Sequence, residues 1–251
     1  MTELTRKQRE IQDRDDLILK VSRELFIERG YHNVTMDMIA QEVEYSKGTI
    51  YQHYNNKEQI ISKLCLRFSQ LLLDLFSYVN NSDCPQYLKM HMLLETELVI
   101  HKQAKSDHAL VNLVKAEAFM TKLDEDSVYE MNCHVEMILG QVLNIVSQAI
   151  EEGELTLAPA ASTMSIALGC WALIEGTFDI ADKHANEEAS LKAAQLDNVL
   201  RSNCLIFLKG SGWHSMPIDA SGHLDLNDED SQTLTMFSDY CHKQIQNYYS
   251  S

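Results

Sequence analysis

Glycine and proline are scarce in this chain, with nine Gly and three Pro among 251 residues. So few turn formers leave little room for the reversals of an all-β sandwich or barrel, and they favour long helices. No uninterrupted apolar run reaches the roughly 18 residues that a membrane-crossing helix needs. The first twenty residues, MTELTRKQREIQDRDDLILK, lack the apolar stretch of a secretory signal. Six cysteines stand at 65, 84, 133, 170, 204 and 241 without one Cys-x-x-Cys spacing, which reads as reduced thiols in a cytoplasmic protein. A nucleophile elbow, a phosphate loop and an H-E-x-x-H pair are missing too, so nothing marks an enzyme. The stretch from Gly210 to Gly212 ends a helix and has no strand before it.

Positive charge is also in short supply. Lys and Arg number 21 against 37 Asp and Glu, a net charge of −16. That balance argues against coating nucleic acid over a broad surface. The excess is uneven, however. Residues 1–60 hold nine basic and eleven acidic side chains, and nearly all the surplus acid lies beyond them. Between Ser46 and Lys57 stand Lys47, His53 and Lys57 and no acid at all.

What is present is helical periodicity. Ile18, Val21, Leu25 and Phe26 share one face of a helix over about 13–29, which Gly30 ends in the left-handed conformation that glycine adopts at least cost. Thr35 caps a short second helix, with Asp37 in its first turn and Met38, Ile39 and Val43 as its apolar contacts. Ser46 caps a third through about Tyr54, and Asn56 with Gln59 forms a capping box for a long helix to about Val79. Further helices are expected at about 85–104, 107–122, 126–152, 160–184 and 189–209. A loop is expected over 210–230 and a short helix over 231–249. Arg6, Lys7, Arg9 and Arg14, mixed with Glu10, Asp13, Asp15 and Asp16, read as a solvated leader or as an arm for a minor groove.

Two short helices joined by a turn of about three residues, behind a longer helix, make a helix-turn-helix. The stretches FIERGY (26–31), TMDMIA (35–40), SKGTIYQHY (46–54) and NKE (56–58) resemble the TetR/AcrR family of transcriptional regulators. The resemblance covers about residues 15–65; beyond it the chain is similar only in architecture. It implies an all-α fold, with an N-terminal three-helix helix-turn-helix domain followed by a helical-bundle domain for effector binding and dimerisation. It also implies DNA contacts from Thr35, Lys47, Gly48, Thr49, Tyr51, His53 and Lys57. Helix geometry adds Ser46, whose cap leaves backbone N–H groups near a phosphate, and Gln52, which suits an adenine edge. Ile50 and Tyr54 read as core. The sequence departs from the family where it has Glu44 in place of the usual turn glycine.

The expected division is 1–57 for DNA binding with its arm, 58–210 for the effector and the dimer, and 211–251 as an acidic extension. Small residues (Ala161, Ser165, Ala167, Gly169, Ala172, Gly176) beside Trp171, Ile174 and Phe178 mark one dimer helix. Leu191, Leu196, Val199, Leu200, Leu205, Ile206 and Phe207 mark the other, and the resemblance implies that the two pack against a second copy. Met90, Phe119, Met120, Met137, Trp171 and Phe178 are candidate walls for a small apolar or amphipathic effector, though the same residues suit plain core. Glu97/His101 and Glu130/His134 have chelating i, i+4 spacing, but ion-paired histidines explain them as well, and neither a metal nor a cofactor is expected. The expected function is a sequence-specific repressor of a double-stranded DNA operator, released by a ligand and without a membrane partner. The alternative is a regulator controlled by a protein partner or acting constitutively.

Overall fold

Helix α1 spans Arg6–Arg29, so it starts about two turns before the expected position 13. In the computed structural model, which describes residues 5–183, 193–220 and 223–250, the would-be leader is helical from Arg6. The cause is a capping box. The Thr5 side chain accepts from the Gln8 N–H at 3.3 Å, and Gln8 Oε1 accepts from the Thr5 N–H at 2.9 Å. Arg6 meets Glu10 one turn on, at 2.8 Å. A solvated leader is therefore the wrong reading of residues 6–16; charge alone does not unfold a segment that can pair along its own helix.

The rest of the chain forms α2 (Met36–Glu42), α3 (Lys47–His53), α4 (Lys57–Asn80), α5 (Gln86–Gln103), α6 (Lys105–Val114), α7 (Glu117–Met120), α8 (Glu125–Glu151), α9 (Thr163–Lys183), α10 (Ala193–Gly210) and α11 (Asp228–Ser250). The helix expected at 107–122 is broken at Ala116, whose backbone is extended. The break turns Phe119 into the core beside Tyr31, with ring centroids 5.7 Å apart. Residues 184 and 189–192 of the expected helices lie outside the described residues, as does Leu191.

Two compact units emerge. The first joins residues 1–70 with 106–134, and the second joins 71–105 with 135–251. The core of the first is built from Ile18, Leu25, Phe26, Ile39, Ile50, Ile60, Ile61 and Leu64, closed by Leu110, Val114 and Phe119. Helix α5 is the centre of the second. Its buried residues lie on every face, among them Leu88, Met92, Leu94, Thr96, Leu98 and Ile100. Gln86, Lys89, His91 and Thr96 are buried with them, so α5 is covered on every side, polar positions included. Pro85 offers no side-chain cap, and Glu154 supplies one instead: its carboxylate accepts from the Gln86 and Tyr87 N–H groups at 2.8 and 3.0 Å. This placement sets a negative charge at the positive end of the helix dipole.

Helix α11 covers another face of α5. Phe237, Cys241 and Ile245 are buried, Tyr87 donates to Asp230 at 2.5 Å, and Tyr240 stacks on Tyr78. The segment leading to α11 is pinned by a bridge between Leu155 and Trp213. Gly212 makes that approach feasible. It has φ +107°, and a Cβ there would lie 1.8 Å from the Thr156 carbonyl oxygen.

Two outcomes follow from this packing. Phe237→Ala should cost about 3–5 kcal/mol, read as a lowered midpoint in thermal unfolding by circular dichroism; an unchanged midpoint would make α11 an appendage. His91, sealed in α5 and near Arg201, is held neutral with its pKa pushed down to about 4 from 6.5. The unfolded chain therefore binds a proton that the folded one refuses, and stability should fall by about 3 kcal/mol as pH drops from 6.5 through 4. His91→Leu should flatten that dependence in urea titrations.

Candidate nucleic-acid interface

The turn between α2 and α3 fixes everything the third helix presents. The Tyr45 N–H bonds the Ala40 carbonyl at 3.0 Å and the Glu44 N–H bonds the Gln41 carbonyl at 3.2 Å. This is a Schellman closure, which needs a left-handed residue at the position that Glu44 fills. Glu44 adopts φ +57°, the sole positive φ outside glycine among the described residues. The glycine-type turn geometry is thus retained without glycine, at a strain of about 1 kcal/mol.

Ser46 then caps α3, accepting from the Thr49 N–H at 3.1 Å and lying 2.8 Å from the Thr49 hydroxyl. Ile50 is wholly buried against the first core and sets the helix's rotation. At the far end, the Tyr54 hydroxyl donates to Asp15 on α1 at 2.7 Å. Burial and that carboxylate push the phenol's pKa well up, so it stays a donor. His53 Nδ1 lies 3.5 Å from the same carboxylate, and Arg67 of α4 bonds both Asp15 and Asp16. One end of α3 is capped and the other is tied to α1 and α4.

With its inner face thus held, α3 presents its outer face. Ser46, Lys47, Gly48, Tyr51 and Gln52 are exposed, Tyr51 to 50%, and so is Thr35, which caps α2 through the Met38 N–H at 3.3 Å. Thr49 is half-buried. Lys47 reaches sideways to Asp37 on α2, 2.5 Å away. Two of the expected contacts sit differently. His53 is turned towards Asp15, with only 11% of its side chain exposed. Lys57 is a tie within the protein: its ammonium donates to the carbonyls of Tyr31 and Val34 at 2.7 and 2.8 Å and lies over the Tyr31 ring. Its partial burial lowers its pKa.

Sequence reasoning missed Asp15, Arg67 and the partner of Lys47. Asp15 and Tyr54 are 39 residues apart and Asp37 and Lys47 ten apart, so no helical spacing announces them. The candidate effector walls do not gather in one core. Phe119 and Met120 belong to the core of the first unit. Phe178 belongs to a core of the second, stacked on His101, and Met90 is buried in α5. Met137 and Trp171 are exposed. Of the chelating pairs, Glu130 faces Lys63, His134 meets the Ser69 hydroxyl at 2.6 Å, and His101 lies 3.5 Å from Asp182.

Glu44→Gly should relieve the turn and raise the melting midpoint by about 2–4 °C. Lys57→Ala, which strips two carbonyls of their donor, should lower it by a similar or larger amount without DNA present. An unchanged midpoint for Lys57→Ala would mean that its two bonds are dispensable.

Residues 18–64 match the family described as bacterial regulatory proteins, tetR family. The chain is 25% identical over 140 residues to the transposon Tn10 TetC protein of Escherichia coli, covering 55% of this chain and 66% of that protein. It is 26% identical over 141 residues to the HTH-type transcriptional regulator YhgD of Bacillus subtilis, covering 56% and 69%. The chain thus spans about two thirds of the length of these curated relatives. In fold it is similar to the transcriptional regulator FadR of Bacillus subtilis, with a TM-score of 0.60 and 16% identity over 78% of this chain and 98% of that one. The capped, tied and outward-facing α3 and the matched residues agree: residues 18–64 form a DNA-binding helix-turn-helix domain of the tetR family of bacterial regulatory proteins, and the chain as a whole is similar in fold to transcriptional regulators.

Proposed function

We propose that this regulator is a cytoplasmic homodimeric repressor that leaves a palindromic operator when a small apolar or amphipathic molecule binds its C-terminal helical part. The observation that carries the DNA half of this reading is the outer face of α3, where Lys47, Tyr51 and Gln52 stand exposed on a helix held at both ends. Gly48 has no side chain to hold a phosphate away. Ser46, Thr35 and Thr49 supply hydroxyl and backbone donors for backbone phosphates, and Gln52 reads a base. His53 and Lys57 serve chiefly by keeping α3 and the start of α4 in place.

One recognition helix covers few base pairs, so the reading needs two copies with their α3 helices about 34–36 Å apart, one turn of DNA. Apolar side chains on α9 and α10 support the pairing. Met164, Leu168 and Trp171 recur along α9, and Val199 and Ile206 stand out from α10, Ile206 with 70% exposure. Leu196, Leu200, Leu205 and Phe178, which the sequence suggested for the same seam, face the protein's own core. By length and composition α9 would also suit a membrane, yet only 22% of its apolar window is buried. A partner helix from a second copy accounts for that exposed surface, and the exposed Asp179–Lys183 pair at the end of α9 suits water better than lipid.

Helices α4 and α8 each pass from one compact unit into the other, at residues 70 and 134. An effector whose affinity differs by about 1–3 kcal/mol between the DNA-bound and the free protein suffices for a 5- to 150-fold change. FadR, of the same fold, was solved in complex with stearoyl-CoA, which makes acyl-CoAs the first ligands to try. Functionally we assign 1–57 to DNA, 58–210 to effector and dimer, and 211–251 to support of α5. A second reading, constitutive or partner-controlled binding, is favoured by the covering of α5 on every face.

Sites selected from random DNA should be palindromic. On them, Tyr51→Ala should weaken binding to every sequence alike, whereas Gln52→Ala should lose about 1–3 kcal/mol of discrimination at one base pair; uniform loss from both would contradict base reading by Gln52. Adding acyl-CoAs of graded length to the operator complex, read by fluorescence anisotropy, should release the protein; no release by any of them would favour the second reading. Ile206→Glu should yield monomers in sedimentation, and an unchanged dimer would move the interface elsewhere.

A further inference from the structure

We infer that Asp37 is a brake on non-specific DNA binding, acting through Lys47; the inference rests on the DNA-binding reading of α3. Of the two lysines between Ser46 and Lys57, Lys57 is held by backbone carbonyls, which leaves Lys47 as the exposed cation of this segment. It is not idle. Its ammonium is 2.5 Å from Asp37, and both side chains are more than half exposed. The carboxylate therefore stands beside the cation on the face offered to the duplex, from the first turn of α2.

An exposed pair of this kind is weak and opens readily. When Lys47 meets a phosphate, two costs arise together. The pair must open, and the freed carboxylate of Asp37 is brought towards a polyanion. Glu42 and Glu44, also exposed but at the other end of α2, add to the negative charge of this part of the surface. Both costs fall on a phosphate contact, which carries no sequence information. Base reading by Gln52 is untouched. A larger share of the total affinity then comes from base edges, while binding to every duplex is held lower and is more readily reversed.

The exchange also alters the salt dependence. A free lysine that neutralises a phosphate releases a counterion and adds about 0.9 to the slope of log affinity against log salt. A lysine that abandons a carboxylate for the phosphate leaves an anion behind, which takes up a cation in turn, so part of that release is cancelled. Removing Asp37 should restore it.

The test is a cycle of four full-length proteins, wild type, Asp37→Asn, Lys47→Met and the double variant. Each is titrated by fluorescence anisotropy against a selected operator and a scrambled duplex over a range of salt. Both substitutions are at exposed positions, and circular dichroism confirms folding. Asp37→Asn should tighten binding to both duplexes about two- to fivefold at low salt and steepen the slope by up to about 0.9 per copy. The gain should shrink by at least half when Lys47 is Met, because only the repulsion by the carboxylate is then relieved. A gain of undiminished size in the double variant would mean that Asp37 acts without Lys47 and overturns the inference. So would weaker binding by Asp37→Asn, which would make the carboxylate a support for Lys47, or a changed base preference at constant slope, which would make it a reader. If wild type binds neither duplex at any salt, the DNA reading itself fails, a result distinct from all of these.

Discussion

A recognition helix is useful only if its orientation is fixed by something other than DNA, and here that constraint centres on one carboxylate. Asp15 of α1 accepts from Tyr54 at the end of α3, faces His53 and is itself held by Arg67 of α4. Three helices meet at one side chain. Ile50 alone would leave a seven-residue helix free to rock about a single buried contact; the Asp15 cluster and the Ser46 cap hold its two ends. The outer face can then be spent on polar groups that contribute nothing to the fold.

The same economy shows in the turn before it. Glu44 accepts a left-handed backbone that glycine would adopt with less strain. The Schellman bonds to Ala40 and Gln41 hold it there, and an exposed acid results just before the cap of α3. Acids recur across this surface at 37, 42 and 44, while Lys57 is withdrawn into the structure. The chain's net charge is −16, and the two lysines of the α3 segment, Lys47 and Lys57, both have partners within the protein.

Much of this was legible in the residues. Caps at Thr35 and Ser46, the stop at Gly30 and the buried Ile50 follow from propensities and periodicity, because they involve partners a few positions away. What escaped has partners far along the chain. Glu154 caps α5 from more than sixty residues away, and Tyr87 pairs with Asp230 across 143. The length of α1 escaped for another reason: a run rich in charges looks like a leader until the Thr5–Gln8 cap is noticed. The nearly featureless helical periodicity of α5, with polar and apolar residues mixed on every side, conceals which face α11 will cover. His53 and Lys57 illustrate the converse limit. A family pattern placed them at the DNA, whereas their nearest neighbours are Asp15 and the carbonyls of Tyr31 and Val34.

The account turns on whether the outer face of α3 enters the major groove. Dimethyl sulfate modifies guanine N7, which lies in that groove, so footprinting a selected duplex asks the question directly. The account predicts two protected patches on one face of the DNA, about 34–36 Å apart. Binding that leaves every major-groove guanine reactive, or protects patches on opposite faces, would contradict it.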